Sequence, residues 1–194
     1  MELKFNQLHE ILKESEKAAV EAGNIIMNFK TGGFERLEKI SGSSLASNTL
    51  TNADLYSQKA ILKILNPIIV KFDLGLLAEE SLDDNSRLIK DYFFAIDPLD
   101  GTKSFIEKDY GFAVSIALVS REGYPIIGVV YNPVNKNLYT SIKGHRLFRN
   151  GLELKKTPSL GNKKIIVDPG NKLNPVNGFE YVQYGGAVVN AISV

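Results

Sequence analysis

The stretch that most restricts the fold is an apolar run ending in two aspartates, YFFAIDPLDGTKSF at residues 92–105. The aromatic and aliphatic side chains of YFFAI are typical of a buried strand, and the predicted strand ends at Asp97. Asp100 follows three residues later, before a glycine and a threonine. A chain that directs two like charges out of a buried strand needs something positive, or a proton, between them.

Two more acids stand at the ends of predicted elements. Asp54 occupies the third position of a predicted helix, and Glu79, with Glu80 beside it, follows the short apolar strand LGLLA. Taken singly, these acids are explained by helix capping, a solvated strand end and an ordinary turn. Taken together, they stand where α/β folds place ligands, at the ends of strands.

Convergence of these four carboxylates would be costly without a counter-charge. Each close pair repels by about 4 kcal/mol at an effective dielectric constant near 20. Several such pairs equal the whole stability of a domain, which is about 5–15 kcal/mol. Ligands that are all oxygen atoms, with no histidine or cysteine among them, favour a hard ion, magnesium above all.

The residues after Asp100 indicate a phosphate site. Gly101 allows the backbone to approach a ligand closely, and Thr102 is predicted to open a helical turn. Backbone N–H groups at such an opening attract phosphate. A cation site beside a phosphate site, with no nucleophilic side chain among these residues, predicts metal-assisted hydrolysis of a phosphoester by water.

The composition excludes several other kinds of site. The 194 residues include no cysteine, which removes disulfides, thiolate metal sites and a cysteine nucleophile. His9 and His145 lie far apart in polar surroundings and are interpreted as surface residues, so a serine triad has no base. A net charge of +1 without a basic tract argues against a nucleic acid polymer as partner. The charged N-terminus and the lack of a run of about 18 apolar residues predict a cytoplasmic protein without a membrane span.

Hydrophobic spacing predicts a layered α/β arrangement. Apolar residues recur at helical spacing over residues 4–30, and a second helix begins after Thr51, its predicted N-cap. A loop with short extended pieces joins the two helices. Further strands are predicted at LGLLA, FAVSIALV, PIIGVVY, NLYTSI, HRLFRNGLEL, KKIIVD and EYVQY, with a hairpin turn at Asn150-Gly151 and a helix starting in GGAVVNAISV.

Three motifs together resemble the lithium-sensitive, magnesium-dependent phosphatases of the inositol monophosphatase superfamily. The motifs stand in the family's order and approximate spacing, with TNAD at 51–54, AEES at 78–81 and DPLDGTKSF at 97–105. GFAVSIAL, GVVYNPV and LYTSIKG follow them. The resemblance implies an αβαβα sandwich, with a metal- and phosphate-binding domain over residues 1–155 and the start of a second α/β domain over residues 156–194.

The resemblance also implies a ligand set for two to three magnesium ions. Glu79, in preference to Glu80, would bind the first ion, and Asp97 would bridge the first and the second. The carbonyl of Leu99 would complete the first site, and Asp100 would hold the second ion.

A further part of the resemblance concerns water and phosphate. Asp54 and Thr102 would together orient and deprotonate the attacking water. The scissile phosphate would be held at Asp100, Gly101 and Thr102.

Within the superfamily, DGTKSF and VVYNPV are closer to the 3'(2'),5'-bisphosphate nucleotidases than to the inositol monophosphatases. The expected reaction is removal of the 3'-phosphate from 3'-phosphoadenosine 5'-phosphate. An inositol or sugar-phosphate monophosphatase is the alternative, because IIVDPGNK at 165–172 lacks the arginine and histidine that nucleotidases tend to show there. The expected partner is a small phosphorylated nucleotide or sugar phosphate, with a homodimer left open.

The end of the chain departs from the family pattern. Family members close the site with a tryptophan-aspartate-x-x-alanine motif, whose aspartate completes the second metal site. This chain contains no tryptophan, and we expect it to be cut before the last strand and helices of the fold. A non-catalytic remnant that binds metal or phosphate is therefore a third hypothesis.

Overall fold

The computed structural model of the chain describes residues 2–38, 49–107, 109–155, 163–166, 179–182 and 188. The helices in these ranges are α1 (Phe5–Gly32), α2 (Asn52–Phe72), α3 (Ser86–Ile89) and α4 (Thr102–Ile106). The strands are β1 (Arg36–Glu38), β2 (Thr49–Thr51), β3 (Gly75–Ala78), β4 (Tyr92–Asp100), β5 (Ala113–Ser120), β6 (Pro125–Asn132), β7 (Asn137–Ile142), β8 (Leu147–Arg149), β9 (Leu152–Glu153), β10 (Lys163–Ile166) and β11 (Phe179–Val182).

Two long helices, α1 and α2, form one layer of the fold, and both follow the predicted pattern. The buried side of α1 consists largely of small residues, which allow α2 to approach closely. Thr51 is the N-cap of α2, and its hydroxyl accepts the N–H of Ala53 at 3.2 Å. Asp54 completes the predicted capping box by accepting the N–H of Thr51 at 2.8 Å.

Among the described residues, no helix has the length and apolar character needed to cross a membrane.

The second layer is a seven-stranded sheet in the order β3-β4-β5-β6-β7-β8-β9. β3 and β4 are parallel, whereas each later pair of neighbours is antiparallel. Parallel neighbours end at the same edge of a sheet. The chain therefore leaves β3 and β4 on one side, where the predicted acids Glu79 and Asp97 stand.

The core lies between the two long helices and one face of this sheet. Alternate residues of the central strands are buried in it: Phe94, Ile96, Val114, Ile116, Leu118, Ile127 and Val129. Full burial of a large apolar side chain contributes about 1.5–3 kcal/mol. These contacts hold the helical layer against the same strands that carry the acids.

The other predicted elements are confirmed where the structure describes them. Asn150 and Gly151, with φ of 50° and 77°, form the tight turn between β8 and β9. The loop between the long helices contributes the short pair β1–β2, while residues 39–48 lie outside the described ranges. β10 and β11 form a parallel pair. Only Val188 of the predicted last helix is described, and it is helical; the domain boundary at 155/156 stays a prediction.

β4 differs from the predicted strand at its carboxyl end. The apolar pattern predicts an end at Asp97, but the strand continues through Asp100. The reason is its pairing with β5, in which Asp97 lies opposite Ser115 and Asp100 lies opposite Ala113. Three steps along β4 thus match two along β5, which is a β-bulge. The apolar pattern of one strand carries no information about such a partner.

Both histidines are exposed, as predicted, but they are not far apart. The ring of Phe5 contacts His9 at a centroid distance of 4.5 Å and His145 at 4.7 Å. The prediction that the two histidines lie far apart in polar surroundings is therefore wrong, because both contact the same aromatic ring.

Gly75, the first residue of β3, is expected not to tolerate a methyl group. A Cβ at this position would lie 2.8 Å from the carbonyl carbon of Ser86 and 2.9 Å from the nitrogen of Arg87. Gly75→Ala should lower the free energy of unfolding by about 1–3 kcal/mol, the usual cost of overpacking. Gly128→Ala in β6 is the matched control, because no atom lies within 4 Å of its Cβ. Urea denaturation compares the two, and equal midpoints would contradict the close approach of α3 to β3.

Candidate active site

Parallel pairing of β3 with β4 places Glu79 beside Asp97. Ala78 lies opposite Ile96, so the next residue on each strand is an acid. The N–H of Glu79 donates to the carbonyl of Ile96 at 3.1 Å, which extends the pairing of the two strands by one bond. The carboxyl group of Glu79 lies close enough to that of Asp97 to raise its pKa.

Asp97 is half-buried and has a strongly altered affinity for its proton. Burial, the charges of Glu79 and Asp100, and the hydrogen bond with Glu79 together raise the pKa of Asp97 to about 9. The N–H of Leu99 donates to Asp97 Oδ1 at 3.0 Å and opposes this shift only in part. With a pKa of about 9, Asp97 holds its proton at neutral pH when no cation is present.

Asp100 ends β4 with its side chain largely buried. Its Oδ2 accepts the N–H of Val188 at 2.9 Å, from a residue 88 positions further along the chain. Within the described part of the chain, no three acidic or histidine side chains form a complete metal cage. The assembled part is the pair of Glu79 and Asp97, whereas the carboxylate of Asp100 also serves a backbone donor.

Asp54 and Thr102 form a second pair, although 48 residues separate them in sequence. Asp54 is only 1% exposed. Its Oδ2 accepts the N–H and the hydroxyl of Thr51 at 2.8 and 2.6 Å, and its Oδ1 accepts the hydroxyl of Thr102 at 3.0 Å. Burial raises the pKa of Asp54, while the hydrogen bonds from Thr51 and Thr102 act in the opposite direction.

Leu99 joins the two pairs. Its N–H donates to Asp97, and its carbonyl oxygen lies 3.1 Å from the hydroxyl of Thr102. The single hydroxyl proton of Thr102 therefore has two acceptors within reach, the Leu99 carbonyl and the Asp54 carboxylate. The Leu99 side chain, 1% exposed, anchors this backbone in the core.

Gly101 makes the turn that starts α4. Its φ of 86° lies in the left-handed region, which glycine adopts without strain. The chain thereby turns out of β4 so that Thr102 becomes the first residue of the helix. The structure thus brings all seven predicted site residues to one edge of the sheet. The backbone N–H of Glu80, in the same turn as Glu79, donates to Gln58 on α2 at 2.9 Å.

Two residues that the sequence analysis does not single out also support this edge. Gln58 is 5% exposed and stands four residues after Asp54, a spacing that places a polar residue on the same helix face. That spacing is a signal that sequence analysis could have used. The ammonium of Lys30 lies 4.4 Å from the ring centroid of Phe112 and donates to the carbonyl of Asp109 at 2.7 Å. No sequence pattern indicates the position of Lys30.

Comparison with known proteins gives consistent matches. A sequence model of the inositol monophosphatase family matches residues 7–172. Nus factor SuhB of Salmonella typhimurium (strain LT2) is 32% identical over 186 residues, covering 95% of this chain and 64% of the relative. The 3'(2'),5'-bisphosphate nucleotidase CysQ of the same strain is 37% identical over 98 residues, covering 49% of this chain and 38% of the relative.

The fold is matched by solved structures as well. The crystal structure of the extragenic suppressor protein suhB from Bartonella henselae superposes with a TM-score of 0.73 at 26% identity, covering 93% of this chain and 72% of that one. This match confirms the predicted α/β fold. The chain spans 64% or less of the length of the two curated relatives named above. Because the family model matches residues 7–172, most of the chain and all seven predicted site residues, the chain belongs to the inositol monophosphatase family.

Proposed function

We propose that this chain carries the active site of a magnesium-dependent phosphomonoesterase, in which water attacks the phosphorus atom. The observation that carries the proposal is the convergence of three carboxyl groups, those of Glu79, Asp97 and Asp100, at the ends of β3 and β4. Membership of a family of metal-dependent phosphatases supports it.

The donor set fits magnesium. Buried carboxylates of like charge bind either protons or a cation, and a set made only of oxygen atoms favours a hard ion. Glu79, Asp97, Asp100 and the Leu99 carbonyl would hold the metal. Magnesium commonly keeps several water ligands, so a site with few protein ligands remains adequate. We propose two to three ions, the number that the resemblance to the family implies.

Asp54 and Thr102 would position the attacking water and receive its proton. Thr51 occupies one oxygen of Asp54, which leaves the other directed at the Thr102 hydroxyl. When that hydroxyl donates to Asp54, its own oxygen is able to accept a proton from water. The raised pKa of Asp54 makes it a stronger base than an ordinary aspartate, which favours this transfer at neutral pH. Bound magnesium would lower the pKa of the water and offset the charge of the phosphate.

The backbone at Gly101 and Thr102 would hold the phosphate. The first N–H groups of a helix have no acceptor within that helix, so they remain available to an anion. The left-handed turn at Gly101 brings these groups directly after Asp100. The phosphate would thus lie between the carboxylate-bound cations and the start of α4.

For the substrate, we propose 3'-phosphoadenosine 5'-phosphate, with loss of the 3'-phosphate. The support is the DGTKSF motif and the similarity to CysQ, which is named as a 3'(2'),5'-bisphosphate nucleotidase. Lys103 of this motif is exposed and lies 3.9 Å from Glu107, so its ammonium is not committed to the core. An inositol or sugar-phosphate monophosphatase is the alternative, supported by the family match over residues 7–172.

A non-catalytic role is the second candidate. The relative that covers 95% of this chain is named a Nus factor, not a phosphatase. A chain of this kind would bind metal or phosphate without turnover. The substrate assay below separates the two candidates.

The first test is hydrolysis of 3'-phosphoadenosine 5'-phosphate, with inositol 1-phosphate as the competing substrate. We expect magnesium-dependent phosphate release, with kcat/KM at least about tenfold higher for the nucleotide, a difference of about 1.4 kcal/mol. Asp97→Asn should retain less than a tenth of the activity and stay folded by circular dichroism, whereas the exposed Asp84→Asn should be unaffected. A chain that binds magnesium but hydrolyses neither substrate would support the non-catalytic candidate.

A second test separates water activation from metal binding. Thr102→Val removes the hydroxyl bonded to Asp54 with little change of shape, so magnesium affinity should persist. Turnover should fall by about 10²- to 10⁴-fold, the usual contribution of general acid–base catalysis. Thr140→Val, in β7, is the control for loss of a buried threonine hydroxyl. Equal losses of magnesium affinity and turnover in Thr102→Val would make Thr102 structural.

The raised pKa of Asp97 predicts how stability depends on pH in the absence of metal. Because its folded-state pKa of about 9 exceeds the ordinary value of 3.8, the folded chain holds a proton that the unfolded chain releases. Its contribution to the free energy of unfolding should therefore be complete below about pH 4 and be lost as the pH rises towards 9. Urea denaturation in EDTA at pH 5, 7 and 9 measures this slope. The slope should be smaller in Asp97→Asn but not in Asp84→Asn, and equal slopes in all three proteins would contradict the raised pKa of Asp97.

A further inference from the structure

A buried glutamine connects α2 to the turn that follows β3. Gln58 is 5% exposed, and both polar atoms of its side-chain amide are hydrogen-bonded. Its Nε2 donates to the hydroxyl of Ser81 at 2.6 Å, and its Oε1 accepts the N–H of Glu80 at 2.9 Å. These two bonds hold consecutive residues of one turn. A buried amide whose donor and acceptor are both hydrogen-bonded has a single favourable orientation. Gln58 therefore fixes the positions of the Glu80 backbone and the Ser81 hydroxyl.

The turn held by Gln58 carries Glu79. The N–H of Glu79 donates to Ile96 at 3.1 Å, and the N–H of Ser81 donates to the carbonyl of Ala78 at 3.2 Å. The backbone of Glu79 is thus fixed by β4 on the side before it and by α2 on the side after it. Glu79 itself is exposed, so the two ends of its backbone are held more firmly than the core packing alone would hold them.

Gln58 also stands one helical turn after Asp54. Residues four apart lie on the same face of a helix, so α2 presents Asp54 and Gln58 to the same edge of the sheet. One rigid element therefore sets both the carboxylate bonded to Thr102 and the turn that carries Glu79.

We propose that Gln58 is a positioning residue for the cation site, holding Glu79 where it pairs with Asp97. This inference rests on the proposed function, since it assumes that Glu79 and Asp97 bind magnesium. Gln58 does not touch the cation; it acts through the backbone of Glu80 and the hydroxyl of Ser81. Groups that orient a metal ligand commonly change metal affinity by about 10- to 100-fold when they are removed.

The experiment measures magnesium binding to the metal-free chain by calorimetry. Gln58→Met removes both hydrogen-bonding atoms at similar length, and we expect its magnesium dissociation constant to rise by about 10- to 100-fold. The control is Asn132→Leu. Asn132 is also 5% exposed, and its Oδ1 accepts the N–H groups of Val134 and Asn135 in the β6–β7 turn. Asn132→Leu should lower the melting temperature. It should leave the magnesium affinity within about twofold of that of the original chain, because the β6–β7 turn lies outside the proposed ligand set.

A second variant keeps the test valid if Gln58→Met does not fold. Ser81 is exposed, so Ser81→Ala removes the acceptor of the Nε2 bond without disturbing the core. It should weaken magnesium binding in the same direction by a smaller factor, and the double variant should bind no more weakly than Gln58→Met alone. Unchanged affinity in both single variants, or an equal loss in Asn132→Leu, overturns the role of Gln58. Absence of magnesium binding by the original chain overturns the proposed function itself.

Discussion

Like charge gathered at the ends of β3 and β4 is the constraint on which the rest of this structure depends. Parallel pairing of the two strands places Glu79 beside Asp97, and the bulge opposite β5 keeps Asp100 on the same edge. Burial, together with the charges of Glu79 and Asp100, raises the pKa of Asp97 to about 9, so Asp97 keeps its proton at neutral pH. Like charge gathered in this way lowers the free energy of unfolding, and favourable packing in other parts of the fold must offset that loss.

The helical layer contributes that free energy and also restrains the edge. α1 and α2 cover the face of the sheet that contains Phe94, Ile96 and Val114. At the end of α1, the ammonium of Lys30 lies among the rings of Phe105, Tyr110 and Phe112, at 5.7, 5.5 and 4.4 Å from their centroids. Cation–π contacts of this kind contribute about 0.5–2 kcal/mol. They connect α1 to α4 and to the segment that follows it, while Gln58 connects α2 to the turn after β3.

Local chemistry explains which features could be predicted from the sequence. Helical spacing, the capping pair Thr51 and Asp54, and the Asn150-Gly151 turn depend on residues near in sequence, and all three are confirmed. The strand end at Asp100 was missed because it depends on pairing with β5. The helix face of Gln58 follows from its spacing to Asp54, but the bonds of Gln58 to the turn after β3 depend on an element distant in sequence. The same holds for the contacts of Lys30 and for the contact of His145 with Phe5. No periodicity within one segment contains that information.

Asp54 and Asp97 show how one residue type serves two purposes in one site. Burial raises the pKa of both, but the further causes differ in kind. Hydrogen-bond donors surround Asp54 and favour its charged form, whereas carboxylates surround Asp97 and oppose it. A cation between the strands would reverse the effect on Asp97, because its neighbours would then share a positive partner. The environment of Asp54 consists of threonine hydroxyls and a backbone N–H, which no cation needs to replace. The proposed division between Asp97 as a metal ligand and Asp54 as a base therefore follows from the neighbours of each carboxylate and not from the residue type.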